Sequence, residues 1–170
     1  MPVNEEIFRP VRMVFTTRAG GASASPYQSF NLGDHVGDDP EAVAANRQRL
    51  VTVTGVDDIV WMEQLHTNTV TVVDKDTPVP VEATDAIVTT TPRLGLGVLV
   101  ADCVPVLLAD SKAKVVAAAH AGRMGARNGI IANTVDAMVE LGATPANIRS
   151  FWGLRPQDVI MKFQRIWLMM

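Results

Sequence analysis

Two long apolar runs separated by a short polar turn constrain the fold more than any other feature of this sequence. The first run, "LGLGVLVADCVPVLLAD", is too uniformly apolar for a strand with one exposed face, and Pro105 lies inside it. The second run, Val115–Ala119, follows directly after the turn. We therefore predict a buried strand interrupted by a bend, and a hairpin that brings Cys103 close to His120.

Further helices and strands are predicted on both sides of these runs. Residues 11–17 alternate loosely and favour a strand, whereas residues 18–39 have the Gly, Ser, Asn and Asp content of a long, ordered loop. A helix is predicted from Pro40, capped by Asp38 or Asp39 and closed by Gly55. The remaining predicted elements are short strands at Ile59–Met62, Thr69–Val73 and Ala86–Thr89, and a second helix at Arg127–Leu141 that stops at Gly142.

The composition is that of an ordinary globular domain and argues against several classes of partner. The chain has 170 residues, of which 48% are hydrophobic and 19% charged, so it can form one domain with a core, spanning residues 1–170. Its net charge of -3 and scattered arginines argue against nucleic acid as a partner. The N-terminus "MPVNEEIFRP" lacks the apolar core of a secretory signal, and no window approaches a membrane span. We expect a cytoplasmic protein without a membrane partner.

The last twenty residues, 151–170, differ from the rest of the chain. They hold two of the three tryptophans and three of the eight methionines, and they end on hydrophobic residues without a cap. Two interpretations stay open: a C-terminal strand or helix that packs on the core, or a truncated or frame-shifted tail. In the second case we expect self-association through this atypical segment.

Three residues are candidates to form one chemical site. His66, Cys103 and His120 each lie at a strand end or inside a buried run, where propensity favours an aliphatic residue. Two imidazoles and a thiolate suit zinc and leave the fourth tetrahedral position open, as catalytic sites require. The signal from spacing is weak, because no CxxC or HExxH motif clusters the ligands. Cys103 by itself is an inert buried thiol, a nucleophile or a metal ligand.

Five segments, in this order and at these spacings, resemble the bacterial YfiH family, also called DUF152 or the polyphenol-oxidase "laccase" family. The resemblance covers about residues 11–150 and is carried by "FTTRAGG…NLGDHVGDDPEAVAANR", "EQLHTNTV", "TDAIVTT", "LVADCVPVLLAD" and "VVAAAHAG…GARNGIIANTV". It implies an α/β sandwich with mixed sheets, similar to the catalytic domain of cytotoxic necrotizing factor. It also implies a mononuclear, catalytic zinc site whose ligands are His66, Cys103 and His120.

The resemblance further implies a monomeric purine nucleoside enzyme. Such an enzyme takes purine nucleosides and phosphate as substrates, cleaves adenosine, inosine or methylthioadenosine by phosphorolysis, and deaminates adenosine. A four-copper laccase needs a type-1 copper site and a trinuclear cluster with many more imidazoles, whereas this chain has three histidines. We therefore expect copper only as an adventitious substitute for zinc in the triad.

Other polar residues are candidates to bind the nucleoside and phosphate. The guanidinium groups of Arg18, which precedes a Gly-Gly pair, and of Arg47 suit phosphate oxygens. The alternative for each arginine is ordinary surface charge. Three further residues are candidates to orient ribose, base or ligand: Asn31, Gln64 and Asp102. Asn31 and Asp102 suit a turn-capping role equally well.

The sequence departs from the family pattern after His120, and two other functions stay open. Where the family reads His-Ala-Gly-Trp-Arg-Gly, this chain has "HAGRMG", with Arg123 in place of the tryptophan and Met124 in place of the arginine.

The first alternative to a purine nucleoside enzyme is a cysteine hydrolase with Cys103 as nucleophile and His120 as base. The second is an inactive, truncated remnant.

Overall fold

Two β-sheets and three helices form the part of the chain that the computed structural model describes, which is residues 11–153 and the backbone of residues 165–169. In chain order the elements are β1 (Met13–Phe15), α1 (Pro40–Thr54), β2 (Asp58–Val60), β3 (Val70–Val72), β4 (Ala86–Thr89), β5 (Leu94–Val100), β6 (Val104–Asp110), β7 (Val115–Ala121), α2 (Arg123–Arg127), α3 (Ile130–Glu140), β8 (Arg149–Trp152) and β9 (Arg165–Met169). Within this part of the chain, no helix has the length and apolarity needed to cross a bilayer.

Both sheets are mixed, and they stack as the central layers of a sandwich. The first sheet has the strand order β1-β9-β5-β2 and the second the order β3-β4-β7-β6-β8. The pairs β2–β5 and β3–β4 are parallel, and the other pairs are antiparallel. The predicted α/β class with mixed sheets is confirmed.

Three clusters of buried side chains hold the layers together. One lies between the sheets and contains Leu96 and Val98 of β5 and Leu107 of β6. A second joins the outer face of the second sheet to α3 through Ile130 and Met138. The third packs α1 and the loop before it on the first sheet. Because successive residues of a strand face opposite sides, a central strand packed on both faces needs a continuous apolar sequence.

The apolar run of residues 94–110 is two strands that belong to different sheets. Strand β5 lies in the first sheet and β6 in the second, so the chain crosses between them at residues 101–103. The prediction of a bend was right in kind, but it is not at Pro105. Pro105 is the second residue of β6, near the strand's start, where a missing N–H is best tolerated, and its carbonyl accepts the N–H of Gly153 at 2.9 Å.

The first helix matches its prediction and the second differs. Asp39 caps α1 by accepting the N–H of Glu41, and Gly55 ends the helix in the left-handed conformation at φ 71°. The predicted helix Arg127–Leu141 begins instead at Ile130. The left-handed Gly129, with φ 88°, separates it from the short α2, because a helix cannot continue through positive φ.

The end of the chain contributes a strand to the first sheet. The backbone of β9 lies between β1 and β5 and pairs antiparallel with both. Residues 1–10, 154–164 and 170 lie outside the described residues, and so does most of the predicted atypical tail. Self-association through that segment stays a prediction.

Candidate metal centre

His66, Cys103 and His120 converge as the sequence predicts. Their potential ligand atoms all lie within 4.8 Å of one another, and they are the only such His/Cys/Asp/Glu group of three or more found among the described residues. The Cys103 Sγ is 3.7 Å from the His66 Nε2, and the two imidazole rings meet edge to face with centroids 4.8 Å apart. His120 is buried, Cys103 is half-buried and His66 is exposed, so the group opens to solvent on one side.

The second sheet brings all three residues to one end of its strands. Strand β7 ends at His120 and Ala121, and in the antiparallel hairpin Ala121 is opposite Val104, the first residue of β6. Cys103 immediately precedes that residue. His66 lies in the loop that leads into β3. The first residue of β3 pairs with the first residue of β4. Strand ends hold side chains more precisely than mobile loops do, as a ligand site requires.

A fully buried acid, Asp85, lies behind the two histidines. Its Oδ1 accepts a hydrogen bond from the His120 Nδ1 at 2.8 Å and from the His66 backbone N–H at 3.0 Å. Its Oδ2 accepts from the backbone N–H and the hydroxyl of Thr67, both at 2.7 Å. Since the His120 Nδ1 is engaged with this carboxylate, the Nε2 is the nitrogen left to a ligand.

Asp85 and His120, the two groups of this hydrogen bond, both have a shifted pKa. Burial lowers the pKa of His120, and this outweighs the opposing effect of the Asp85 carboxylate. Burial alone would raise the pKa of Asp85, but the hydrogen bonds from His120 and Thr67 outweigh it and hold that pKa below its ordinary value. At neutral pH the imidazole is therefore uncharged and the carboxylate is charged, and neutral imidazole is the form that binds metals.

The donor set fits a zinc ion, and the distance between two of the ligand atoms is close to that in a zinc site. In a tetrahedron with Zn–N bonds of about 2.0–2.1 Å and a Zn–S bond of about 2.3 Å, neighbouring ligand atoms are about 3.4–3.6 Å apart. The distance from Cys103 Sγ to His66 Nε2 is close to that range. Two nitrogens and one sulfur also leave one tetrahedral position for a substrate or water, so the residues present could hold a catalytic zinc.

Gly122 keeps space open beside the ligands. A Cβ added at this position would lie 2.6 Å from the His66 Cδ2 and 3.3 Å from the Cys103 Sγ. The first distance is far inside van der Waals contact, so any larger residue must displace the His66 ring. Gly122, two residues after His120, therefore leaves the space that the side chains of His66 and Cys103 occupy.

Replacing Gly122 by alanine is expected to weaken metal binding at the triad, with zinc as the test ion. The new methyl group pushes the His66 ring away from the Cys103 thiol, and we expect the zinc Kd to rise by roughly tenfold, the lower end of the effect of misaligned ligands. Competition with a chromophoric chelator measures this change. Met124→Ala, two residues further on and exposed, is the matched control and should leave the Kd unchanged; equal affinities in both variants would show that Gly122 plays no part in the site.

Three of the predicted substrate-binding residues lie together, in or against the long loop before α1. The Nε of Arg47 donates to the Leu32 carbonyl at 2.9 Å, and its Nη2 is 3.2 Å from an Asp34 carboxylate oxygen. Burial lowers the pKa of Arg47, an effect that Asp34 opposes. Arg18 donates to the Gln28 side chain at 3.1 Å, and the buried Asn31 forms hydrogen bonds with Gly33 and Asp38.

The other two predicted residues lie nearer the triad in sequence. Gln64 uses both amide atoms on the backbone of Leu99, accepting its N–H at 2.8 Å and donating to its carbonyl at 2.7 Å. It thereby ties the loop that carries His66 to β5. The exposed Asp102 accepts from the Cys103 thiol at 3.6 Å. Substrate binding by Gln64 and Asp102, and by the three residues of the loop, stays a prediction.

Sequence reasoning did not single out Asp85 or Asn46. An acid directly before a buried strand in "TDAIVTT" was the available signal for Asp85. For Asn46 the sequence offers only its place next to Arg47 in the predicted helix. In the structure Asn46 is 1% exposed on α1, and an amide on the buried face of a helix needs several hydrogen-bond partners.

The described fold and triad define an α/β sandwich protein with a candidate metal centre of two histidines and one cysteine. Residues 12–155 match the family described as multi-copper polyphenol oxidoreductase laccase. The chain therefore belongs to this laccase-like family, to which the YfiH proteins also belong. With three histidines in the whole sequence, the chain lacks the imidazoles that a set of type-1 and trinuclear copper sites requires.

Several relatives share most of this chain. It is 65% identical over 150 residues to a purine nucleoside phosphorylase of Corynebacterium glutamicum, covering 85% of this chain and 61% of that protein. A purine nucleoside phosphorylase of Mycobacterium tuberculosis is 51% identical over 145 residues, covering 84% of this chain and 58% of that protein. The chain thus spans about three-fifths of the length of the curated relatives that it matches.

Solved structures confirm the fold. The YfiH protein of Bacillus licheniformis superposes with a TM-score of 0.80 at 35% identity, covering 84% of this chain and 58% of that one. A DUF152 protein of Neisseria meningitidis gives 0.76 at 38% identity, with 84% and 57% coverage. The sheets and helices described above are therefore those of the YfiH fold.

Proposed function

We propose that this chain is a zinc-dependent purine nucleoside phosphorylase. The observation that carries the proposal is the His66, Cys103 and His120 cluster in a chain 65% identical to a purine nucleoside phosphorylase. Phosphorolysis breaks the bond between the ribose anomeric carbon and the purine nitrogen and forms a bond from that carbon to a phosphate oxygen. The products are the free base and ribose 1-phosphate. Bound zinc would supply Lewis-acid polarisation at the open side of the triad.

The residues of the chain have separate parts in this proposal. The triad binds the metal, with zinc as the resident ion and copper as an adventitious substitute. Arg18 and Arg47 are proposed to bind phosphate, and the nucleoside is oriented by Asn31, Gln64 and Asp102. The hydrogen bond of Arg47 to the Leu32 carbonyl and its ion pair with Asp34 hold its guanidinium in a fixed orientation, which suits a phosphate-binding group.

The substrates proposed are adenosine, inosine and methylthioadenosine, and the proposal includes deamination of adenosine by the same site. The base-deaminase signature of H-x-E followed by P-C-x-x-C is absent from the sequence, so deamination would need a different arrangement. The cytoplasmic location and the monomeric state expected from the sequence are part of this proposal.

Metal analysis combined with product analysis tests the proposal. We expect one zinc per chain and, from adenosine, phosphate-dependent release of adenine and ribose 1-phosphate together with inosine. A folded protein that takes up no zinc and leaves purine nucleosides intact would refute it. In that case the inactive remnant and the cysteine hydrolase are the surviving alternatives, and the thiolate–imidazole pair of the hydrolase is Cys103 with His120, whose ligand atoms lie within 4.8 Å of each other. Rapid iodoacetamide labelling of Cys103 that zinc does not suppress would favour the hydrolase.

Replacing Arg47 by alanine is expected to separate the two proposed reactions. Loss of a charged hydrogen bond to phosphate, worth about 1.5–3 kcal/mol, should raise the phosphate concentration needed for phosphorolysis by roughly tenfold or more. Phosphate-free deamination should change little. Arg49→Ala, an exposed arginine on the same helix, is the control; an equal loss of both reactions in Arg47→Ala would make this residue structural.

A further inference from the structure

Asp85 is held by many hydrogen bonds, and none of them comes from an arginine or lysine side chain among the described residues. It is 0% exposed, and its two oxygens accept five hydrogen bonds. Two of these bonds reach the metal-binding residues: Oδ1 accepts from the His120 ring at 2.8 Å and from the His66 backbone at 3.0 Å. One oxygen atom is therefore shared by both candidate histidine ligands.

The loop that carries His66 is folded around the same carboxylate. The backbone N–H groups of three successive residues point to it, with Leu65 and Thr67 donating to Oδ2 at 3.2 and 2.7 Å and His66 to Oδ1. Such a concave run of N–H groups is an anion-binding conformation, and it requires unusual backbone angles. His66 has a φ of 61°, a left-handed conformation that a residue with a Cβ seldom adopts without support.

The backbone of Asp85 is itself fixed between two strands. Its carbonyl accepts the N–H of His120 at 2.7 Å, and its N–H donates to the Thr69 carbonyl at 3.1 Å. Ala86, the next residue, pairs with Ala119 of β7 and with Val70 of β3. The carboxylate therefore has a position set by the sheet, independent of the loop that it organises.

We propose that Asp85 is a positioning residue that orients both histidine ligands of the metal centre through its single carboxylate. By accepting from the His120 Nδ1 it fixes the ring orientation and directs the Nε2 to the metal. By binding the backbone of residues 65–67 it holds His66 in the left-handed conformation that places its ring beside Cys103. This inference rests on the metal centre of the proposed function and extends it to the residue behind the ligands.

Asp85→Asn tests the inference with little change in volume. An amide cannot accept at both positions, so either the His120 ring or the N–H groups of the loop lose their acceptor. We expect the zinc Kd to rise by roughly 10–100-fold, the usual effect of removing a partner behind a ligand. We also expect Co²⁺ bound in place of zinc to show shifted absorption bands, since those bands report the ligand geometry.

Asp110→Asn is the matched control. Asp110 is also a buried acid that accepts backbone N–H groups, from Lys112, Ala113 and Thr144, but it lies at the opposite end of the β6–β7 hairpin. This variant should lose stability and keep the zinc Kd and the cobalt spectrum. A purely structural Asp85 would behave in the same way.

Thr67→Val keeps the inference testable if Asp85→Asn does not fold. It removes the hydroxyl that donates to Oδ2 at 2.7 Å and leaves every ligand in place. We expect a smaller loss of zinc affinity, roughly threefold to tenfold. Wild-type affinity and an unshifted cobalt spectrum in a folded Asp85→Asn, or in Thr67→Val if that is the variant that folds, would overturn the inference. Failure of the wild-type chain itself to bind zinc or cobalt would instead overturn the proposed function.

Discussion

Replacement of His120 by alanine is expected to remove zinc and nucleoside turnover together. The substitution takes away the buried ligand of the triad, and a site with two remaining protein ligands rarely retains zinc. We expect the zinc content to fall from about one per chain to near zero. Activity should fall by more than about 100-fold, beyond the usual effect of losing a residue behind a ligand. Elemental analysis and phosphate-dependent release of free purine base measure the two quantities on the same preparation.

The same double loss is expected for His66→Ala and Cys103→Ala, since all three residues contribute one ligand atom each. His35→Ala is the matched control, because His35 is the remaining histidine of the chain and lies in the exposed part of the loop beside Asp34. It should keep its zinc and its activity. Full zinc content in a folded Cys103→Ala protein would contradict a centre formed by these three residues.

The convergence of Cys103 and His120 could be anticipated from the sequence because it depends on strand order and strand ends. The apolar runs and the polar turn between them predict a hairpin, and a hairpin places Cys103 opposite the end of the strand that carries His120. His66 was less accessible to this reasoning, since its position depends on a loop and on the parallel pairing of β3 with β4. The sequence offered His66 only as a candidate, and the resemblance to a known family is what implied its role as a ligand.

The position at which the chain changes sheet could not be derived from the apolar pattern. Residues 94–110 are apolar on both faces of both strands, so the period of the pattern carries no information about where β5 ends. Helix α3 is a similar case. The apolar spacing predicts its interior correctly, but only the backbone conformation of Gly129 shows that α2 and α3 are separate.

Asp85 escaped the sequence analysis for a related reason. Its partners are the ring of His120, 35 residues away, and the backbone of residues 65–67, some 20 residues away. Backbone N–H groups have no signature in the sequence, so nothing in "TDAIVTT" indicates that this acid accepts three of them. Buried polar residues are best identified by listing their partners in the folded chain.

Asn46 is the second residue that only the structure identifies, and the long loop depends on it. Its Nδ2 donates within 3.1 Å to three oxygens of the loop, and its Oδ1 accepts the N–H of Ala22 at 2.8 Å. The oxygens belong to Ser23, Ser29 and Asn31. The proposed phosphate-binding and nucleoside-binding residues Arg18 and Asn31 lie in this loop, and Arg47 follows Asn46 on α1. The order of the loop is therefore a condition for the proposed function.

Asn46→Asp is expected to destabilise the fold by about 2–6 kcal/mol, which is two buried carbonyl groups left without a donor at about 1–3 kcal/mol each. The carboxylate would be nearly isosteric, but it would turn an acceptor towards the carbonyl oxygens of Ser29 and Asn31 in a site that is 1% exposed. A loss of that size is a large fraction of the stability of a typical domain, so the urea midpoint should fall sharply and the loop should become sensitive to proteases.

Gln48→Glu makes the same amide-to-carboxylate change at an exposed position of α1 and should stay within about 0.5 kcal/mol of wild type. Since the two variants add the same charge to the same helix, a difference between their midpoints measures the hydrogen bonds of Asn46. Coincident midpoints would mean that the loop is held without the hydrogen bonds of Asn46, through contacts such as the packing of Phe30 and Leu32.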